Sequence, residues 1–243
     1  MDPANGSTLL GFDTATTACS AALWVGGLVR AHRRVEEGGR HAEELVPMLR
    51  EVAADGGATL GAVDRFAVTI GPGSFTGIRI GLAAARGLAL ARERPLIGLS
   101  TLEVLAAGVP ESERDGPILA ALDAGRGRLY AQIFDHALRP LCEPGAVPGK
   151  ALPGLLLATG HRGPFNVVGT GQEVALEALL PGCAARPTTG SSTPDARVLV
   201  RRAALRAARG TGDGVAAPVR PLYLREAGAR PRVRATRGGA SGG

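Results

Sequence analysis

The chain has 243 residues, of which 45% are apolar and 21% are charged, and its formal net charge is +6. This length is sufficient to bury a core as one large domain or as two smaller lobes. No apolar run reaches the roughly 20 residues that span a bilayer, and the first residues lack the pattern of a signal peptide. We therefore expect a cytoplasmic protein without contact to a membrane.

Strands and helices alternate along the first half of the chain. The predicted strands are Leu9–Asp13, Cys19–Val25, Leu28–Val35, 66–70 and Leu96–Leu99, and the predicted helices cover 41–54 and about 78–91. Pro47 would either delay the start of the first helix to Val46 or kink that helix. A third helix is expected to be capped by Ser100 or Thr101.

The second half of the chain repeats this order. Its predicted elements are strands at 117–124 and 128–135, a third strand within 138–147, a helix near 153–159, a strand at 165–169, a helix from Gln172 and a final helix over 194–209. A βββαβα unit that occurs twice predicts an α/β protein with two tandem lobes around a cleft, as in the actin-like, ribonuclease-H-like (ASKHA) fold. The predicted boundaries are 1–102 for the N-terminal lobe, 103–210 for the C-terminal lobe, 211–227 for a closing segment and 228–243 for a disordered tail.

The actin-like plan suggests where a nucleotide would bind. In that plan a nucleotide lies between the lobes, and an Asp at the end of the first strand handles the metal and the phosphate. Asp13 stands in this position, and Asp123 ends the first strand of the second half. The candidate nucleotide-binding residues are Asp13, Thr14, Gly71, Gly73, Gly169 and Gly171.

The glycine-rich loop "GPGSFTG" at 71–77 allows two interpretations. Its backbone N–H groups precede a helix and could bind an anion. Alternatively, its glycines let the loop and the helix approach another part of the backbone closely. We prefer close packing, because the helix is rich in small residues. The P-loop pattern is absent, and the only lysine, Lys150, lies in a connector.

Positive charge is concentrated in two segments. The tail at 228–243 contains four arginines and no acid, and a predicted helix carries Arg197, Arg201, Arg202, Arg206 and Arg209. Each segment is either a solvated surface or a sequence-independent contact with RNA phosphates. Neither contains aromatic residues that could stack on bases, which argues against sequence-specific RNA binding.

The histidines and cysteines do not form a metal-binding pattern. None of His32, His41, His136 and His161 has a second histidine three or four residues away, and Leu45 stands in that place after His41. The three cysteines are far apart and lack a C-x-x-C pair, which argues against a disulfide framework or a zinc knuckle. We expect no metal site and no cofactor.

Seven segments, in order and at matching spacing, resemble the TsaB (YeaZ) family. They are "GFDTATTACSAALW", "GRHAEELVPMLREV", "GPGSFTGIRIGLAAARGLAL", "PLIGLSTLEVLA", "ALDAGRGRLYAQIF", "VVGTG" and "PLYLRE". The resemblance spans residues 9–226, and the glycine-loop segment is its most specific part. It implies a required but non-catalytic accessory subunit of the bacterial tRNA threonylcarbamoyladenosine synthase.

The resemblance also implies partners and an interface. A TsaD-type paralogue transfers a threonylcarbamoyl group from threonylcarbamoyl-AMP to the adenosine 3′ of the anticodon (position 37) in tRNAs that read ANN codons. A TsaE-type ATPase completes the machinery, tRNA is contacted through the complex, and two TsaB chains pair as a homodimer when TsaD is missing. The candidate interface residues, on two helices, are His41, Glu44, Leu45, Met48, Leu49, Val52, Phe75, Thr76, Ile78, Arg79 and Leu82.

Two other functions remain as alternatives. The first is a stand-alone actin-like ATPase or small-molecule kinase, which would require a second phosphate loop and a catalytic carboxylate in the cleft. The second is a metallopeptidase, which the missing histidine pair disfavours.

Overall fold

The computed structural model describes residues 7–36, 40–161, 163–179, 183–210 and 219–224. Its strands are β1 (Leu9–Asp13), β2 (Cys19–Val25), β3 (Leu28–Val35), β4 (Arg65–Thr69), β5 (Leu96–Leu99), β6 (Ile118–Gly125), β7 (Arg128–Phe134), β8 (Gly145–Pro148), β9 (Phe165–Val168) and β10 (Ala185–Pro187). Its helices are α1 (His41–Asp55), α2 (Phe75–Arg92), α3 (Thr101–Ala107), α4 (Leu152–Leu157), α5 (Gln172–Leu179) and α6 (Ala196–Ala208). Within these ranges, no helix is both long enough and apolar enough to cross a membrane.

The two halves of the chain form two five-stranded sheets with the same strand order. The first sheet runs β3-β2-β1-β4-β5, and the second runs β8-β7-β6-β9-β10. In each sheet the first three strands are antiparallel, and the other two lie parallel to the first strand. The predicted α/β plan with two tandem lobes is therefore confirmed. The second lobe also contains β10, which was not predicted because three residues ending in Pro187 carry no strand pattern.

The last helix of each half packs against the sheet of the other half. Leu102 and Leu105 of α3 lie in one apolar cluster with Ile118 of β6. Leu199 and Val200 of α6 share a cluster with the first sheet. The predicted boundary between residues 102 and 103 therefore falls inside a helix that covers the second sheet. This exchange holds the two lobes against each other.

Three local predictions are corrected by the structure. Helix α1 begins at His41 and contains Pro47, so the later start near Val46 is wrong. The packing of its apolar face against β2 and β3 compensates for the hydrogen bond that proline cannot make. Helix α2 begins at Phe75 instead of about 78, because the Ser74 hydroxyl accepts a hydrogen bond from the backbone N–H of Gly77 at 3.2 Å. Strand β8 covers only the end of the segment predicted at 138–147.

Candidate functional site

A cleft of about 660 Å³ lies between the two lobes. The first lobe lines it with the β1–β2 loop, the start of α1, the glycine-rich loop and the first turns of α2. The second lobe contributes Leu122, Asp123 and Thr170. Of the six candidate nucleotide-binding residues, only Gly73 lines this cleft.

Asp13 is buried below the cleft at the end of β1. Its Oδ1 accepts hydrogen bonds from the Thr69 hydroxyl and from the backbone N–H of Ala15, the latter at 3.2 Å. Its Oδ2 has no hydrogen-bond partner among the described residues. Loss of solvation on burial raises the pKa of Asp13 to about 7, although the hydrogen bond from Thr69 opposes this shift. Burial therefore disfavours the ionised form of this carboxyl group, and Asp13 is not among the residues that line the cleft.

The glycine-rich loop packs directly against the β1–β2 loop. A Cβ atom on Gly73 would lie 2.1 Å from the Ala15 carbonyl oxygen, and one on Gly77 would lie 1.9 Å from the Thr14 carbonyl oxygen. The Thr14 hydroxyl donates to the Gly77 carbonyl at 2.7 Å, and Ser74 N–H donates to the Ala15 carbonyl at 2.7 Å. The two loops are therefore in direct backbone contact, while residues of both still line the cleft. This geometry supports the close-packing interpretation of the loop.

The remaining candidate glycines also lie against backbone or core atoms. Gly169 has a φ of 114°, and a Cβ atom there would lie 2.1 Å from the Ala121 carbonyl oxygen. The Gly171 N–H donates to the same carbonyl at 3.0 Å. Gly71 lies against the carbonyl oxygen of Leu222, which would be 2.8 Å from a Cβ atom at Gly71. The second lobe thus repeats the closed arrangement of the first.

His41 lies at the edge of the cleft. Its Nε2 is 3.1 Å from the Thr16 carbonyl oxygen, and its buried Nδ1 has no partner within the described part of the chain. Across the described residues, no group of three or more His, Cys, Asp or Glu side chains is placed to hold a metal ion.

The predicted interface residues separate into a buried and an exposed group. The buried residues are His41, Leu45, Met48, Leu49, Val52, Ile78 and Leu82. The exposed residues are Phe75, Thr76 and Arg79, and Glu44 is half-buried. Leu45, Met48, Leu49 and Val52, the four predicted apolar interface residues of α1, all pack into the core of the chain itself.

The outward surfaces of α1 and α2 form what we call the α1–α2 face. The two helices contact each other. The exposed residues of the face are Ala42, Val46 and Arg50 of α1 and Thr76, Ala83 and Gly87 of α2. Val46 is a large apolar side chain that remains 41% exposed. Val46 was not among the predicted interface residues, because the neighbouring face of the helix with Leu45, Leu49 and Val52 is more apolar.

Three of the basic residues of α6 form ion pairs within the chain. Arg202 and Arg206 form ion pairs with Glu103 of α3 at 2.9 and 2.8 Å. Arg197 pairs with Asp195, the residue that caps α6. The predicted disordered tail at 228–243, with its four arginines, lies outside the described residues.

Comparison with known proteins places the chain in a family. A family model described as "TsaD: tRNA N6-adenosine threonylcarbamoyltransferase" matches residues 36–143. The tRNA threonylcarbamoyladenosine biosynthesis protein TsaB of Escherichia coli is 43% identical over 122 residues, which are 50% of this chain and 52% of that protein. The chain thus spans about half the length of the curated relatives that it matches first.

Solved structures extend the similarity over nearly the whole chain. YeaZ from Pseudomonas aeruginosa superposes with a TM-score of 0.76 at 31% identity, covering 90% of this chain and 100% of that one. An activator of 2-hydroxyisocaproyl-CoA dehydratase from Clostridium difficile has a TM-score of 0.51 at 10% identity, over 84% of this chain and 96% of that one, and so shares only the fold. The fold is the actin-like α/β plan, and the chain belongs to the TsaB/YeaZ family.

Proposed function

We propose that this chain is a required, non-catalytic subunit in the synthesis of threonylcarbamoyladenosine at position 37 of tRNAs that read ANN codons. It acts by binding a TsaD-type catalytic partner, with a TsaE-type ATPase and tRNA as further components of the complex. The observation that carries the proposal is the 43% identity to a TsaB named for this biosynthesis. Because tRNA is the substrate of the complex, the proposal also places the chain in the cytoplasm.

The buried arrangement below the cleft supports a non-catalytic role. Asp13 is covered, and the backbone of the glycine-rich loop occupies the space next to Thr14 and Ala15. In a stand-alone ATPase or kinase of this fold, the acid at the end of the first strand would have to face the metal and the phosphate, which the buried Asp13 does not. The closed loops instead fix the start of α2, and so fix the position of the α1–α2 face.

The α1–α2 face is the surface that we propose for the partner. The TsaD family model matches residues 36–143, a range that contains both helices. A partner of the same fold would carry two equivalent helices, and related subunits can then pair through equivalent surfaces around a two-fold axis. Small residues such as Ala83 and Gly87 allow close helix contact, while Val46 supplies apolar area. The same geometry permits a homodimer when the partner is missing.

Substitutions on the face and in the core separate the two roles of α1. We expect Val46→Glu and Ala83→Glu to weaken binding of the TsaD-type subunit by at least about tenfold while the unfolding temperature stays unchanged. Leu49→Glu should unfold the chain, because it places a charge at a fully buried position. Leu157→Glu, at an exposed position in α4, is the matched surface control and should bind normally.

Reconstitution tests the function itself. Threonylcarbamoyl-AMP, tRNA, the TsaD-type subunit and the ATPase are combined with and without this chain, and light scattering reports the assembly. The proposal requires a heterocomplex and tRNA modification that depends on the chain. If the chain binds no partner but hydrolyses ATP or phosphorylates a metabolite alone, the ATPase or kinase alternative replaces it.

A further inference from the structure

Among the described residues, the two exposed aromatic side chains, Phe75 and Tyr223, lie together on the surface with the half-buried Tyr130, whereas the half-buried Trp24 packs elsewhere. Of the five Phe residues, four (Phe12, Phe66, Phe134 and Phe165) are buried in the core. The fifth, Phe75, is 54% exposed at the start of α2. Both tyrosines of the chain, Tyr130 and Tyr223, lie with Phe75 along a groove of about 330 Å³. Such a concentration in a chain with 3% aromatic residues indicates a binding surface.

Phe75, Tyr223 and Arg79 form a connected cluster at this groove. The rings of Phe75 and Tyr223 have centroids 5.3 Å apart and are inclined by 38°. The guanidinium carbon of Arg79 lies 3.6 Å from the centroid of the Phe75 ring, and its Nε donates a hydrogen bond to the Tyr223 hydroxyl at 3.3 Å. The cluster therefore offers ring surface and a positive charge next to each other.

The chain segment that carries Tyr223 is held firmly against the first lobe. The Leu222 N–H donates to the Ile70 carbonyl at 2.7 Å, at the end of β4. Arg86 of α2 donates from Nη2 to the Val219 carbonyl at 2.6 Å. A surface that is already ordered loses little conformational entropy when a ligand binds.

The charge around the groove favours a negatively charged ligand. None of the described residues that line the groove is acidic, and Arg79 lies at its edge. Unpaired RNA combines base faces that stack on aromatic rings with phosphates that pair with arginine, whereas paired RNA hides its base faces.

We propose that the groove formed by Phe75, Tyr130 and Tyr223 binds an unpaired base of RNA, with Arg79 close to the adjacent phosphate. This inference extends the proposed function. It depends on that function only in naming tRNA as the RNA that binds. The aromatic residues that the basic segments lack are supplied here by α2, β7 and the segment at 219–224. RNA binding on this side of α2 leaves the α1–α2 face free for the protein partner.

The test measures binding of a fluorescently labelled, unmodified tRNA anticodon stem–loop to the full chain by anisotropy. We expect the double variant Phe75→Ala/Tyr223→Ala to bind about fivefold to 100-fold more weakly than the wild type. Tyr223→Phe should retain most of the affinity, because it keeps the ring. Leu90→Ala is the matched control, since Leu90 lies on the same helix and is 82% exposed. A fully paired RNA of equal length should be insensitive to removal of the rings.

Two results would overturn the inference. The first is equal affinity of the double variant and the wild type for the stem–loop. The second is weaker binding of the TsaD-type subunit by the double variant with unchanged RNA affinity, which would make the occupant a protein. If ring-dependent RNA binding is found but no heterocomplex forms, the inference survives and the proposed function fails. Urea unfolding of each variant shows whether the fold is intact.

Discussion

Replacing Gly77 with alanine tests whether the glycine-rich loop serves close packing. The new Cβ atom would lie 1.9 Å from the Thr14 carbonyl oxygen, whereas ordinary van der Waals contact begins at 3.4 Å. The two backbone segments would have to separate by about 1.5 Å, the difference between these two distances. This movement would break the hydrogen bonds from the Thr14 hydroxyl to Gly77 and from Ser74 N–H to Ala15.

The expected cost follows from these changes. Forcing extra volume into a packed region costs about 1–3 kcal/mol, and each lost hydrogen bond costs about 0.5–1.5 kcal/mol. We therefore expect Gly77→Ala to lower the free energy of unfolding by about 2–6 kcal/mol. Gly87→Ala, on the same helix, has no atom within 4 Å of its new Cβ and should stabilise the chain by about 0.5–1 kcal/mol.

Urea unfolding followed by the fluorescence of the single tryptophan, Trp24, gives both free energies. Gly81→Ala adds a double-mutant test, because its Cβ would lie next to the Thr14 hydroxyl. The cost of Gly81→Ala should shrink in a Thr14→Ala background. Equal stability of the Gly77→Ala and Gly87→Ala proteins would refute the packing explanation.

Two further predictions concern buried charge. Because burial raises the pKa of Asp13 from 3.8 to about 7, the folded chain holds this proton more tightly than the unfolded chain does, and stability from this group is lost as pH rises from about 4 to 7. Asp13→Asn should therefore gain stability relative to the wild type above pH 7, and a difference that is constant with pH in urea unfolding would contradict this. Glu103→Gln, which weakens the ion pairs with Arg202 and Arg206, should lower the free energy of unfolding by about 1–3 kcal/mol. Glu43→Gln, in an exposed pair with Arg40, should cost less than about 0.5 kcal/mol, and equal thermal shifts for the two variants would exclude a structural role for Glu103.

Elements with a strong local pattern were predicted well from the sequence. The bounds of β1, β2 and β3 agree with the prediction, because each is a short run between turn residues. Ser100 and Thr101 were the two predicted caps of α3. The structure has Ser100 as the cap, with its hydroxyl accepting a hydrogen bond from the Leu102 N–H at 3.2 Å. Recognition of the family rested on the same kind of local signal, the glycine-loop segment above all.

Which residues of the candidate interface stay exposed could not be predicted from the sequence, because burial depends on what packs against each face. The 3.6-residue period of α1 showed that Leu45, Leu49 and Val52 share one face. It could not show that this face covers the chain's own sheet, which leaves Val46 as the large apolar side chain on the outside.

The sequence by itself determined the type and order of the helices and of every strand but β10, since hydrophobic period, caps and turns act between residues that are close in the chain. Only the tertiary structure decided which surfaces remain available. Arg79 and Tyr223 are 144 residues apart, and they meet because the segment at 219–224 pairs with the end of β4. Helix α3 packs on the second sheet and α6 packs on the first. These contacts join residues that are distant in the sequence, so they depend on the packing of the whole chain and leave no local pattern.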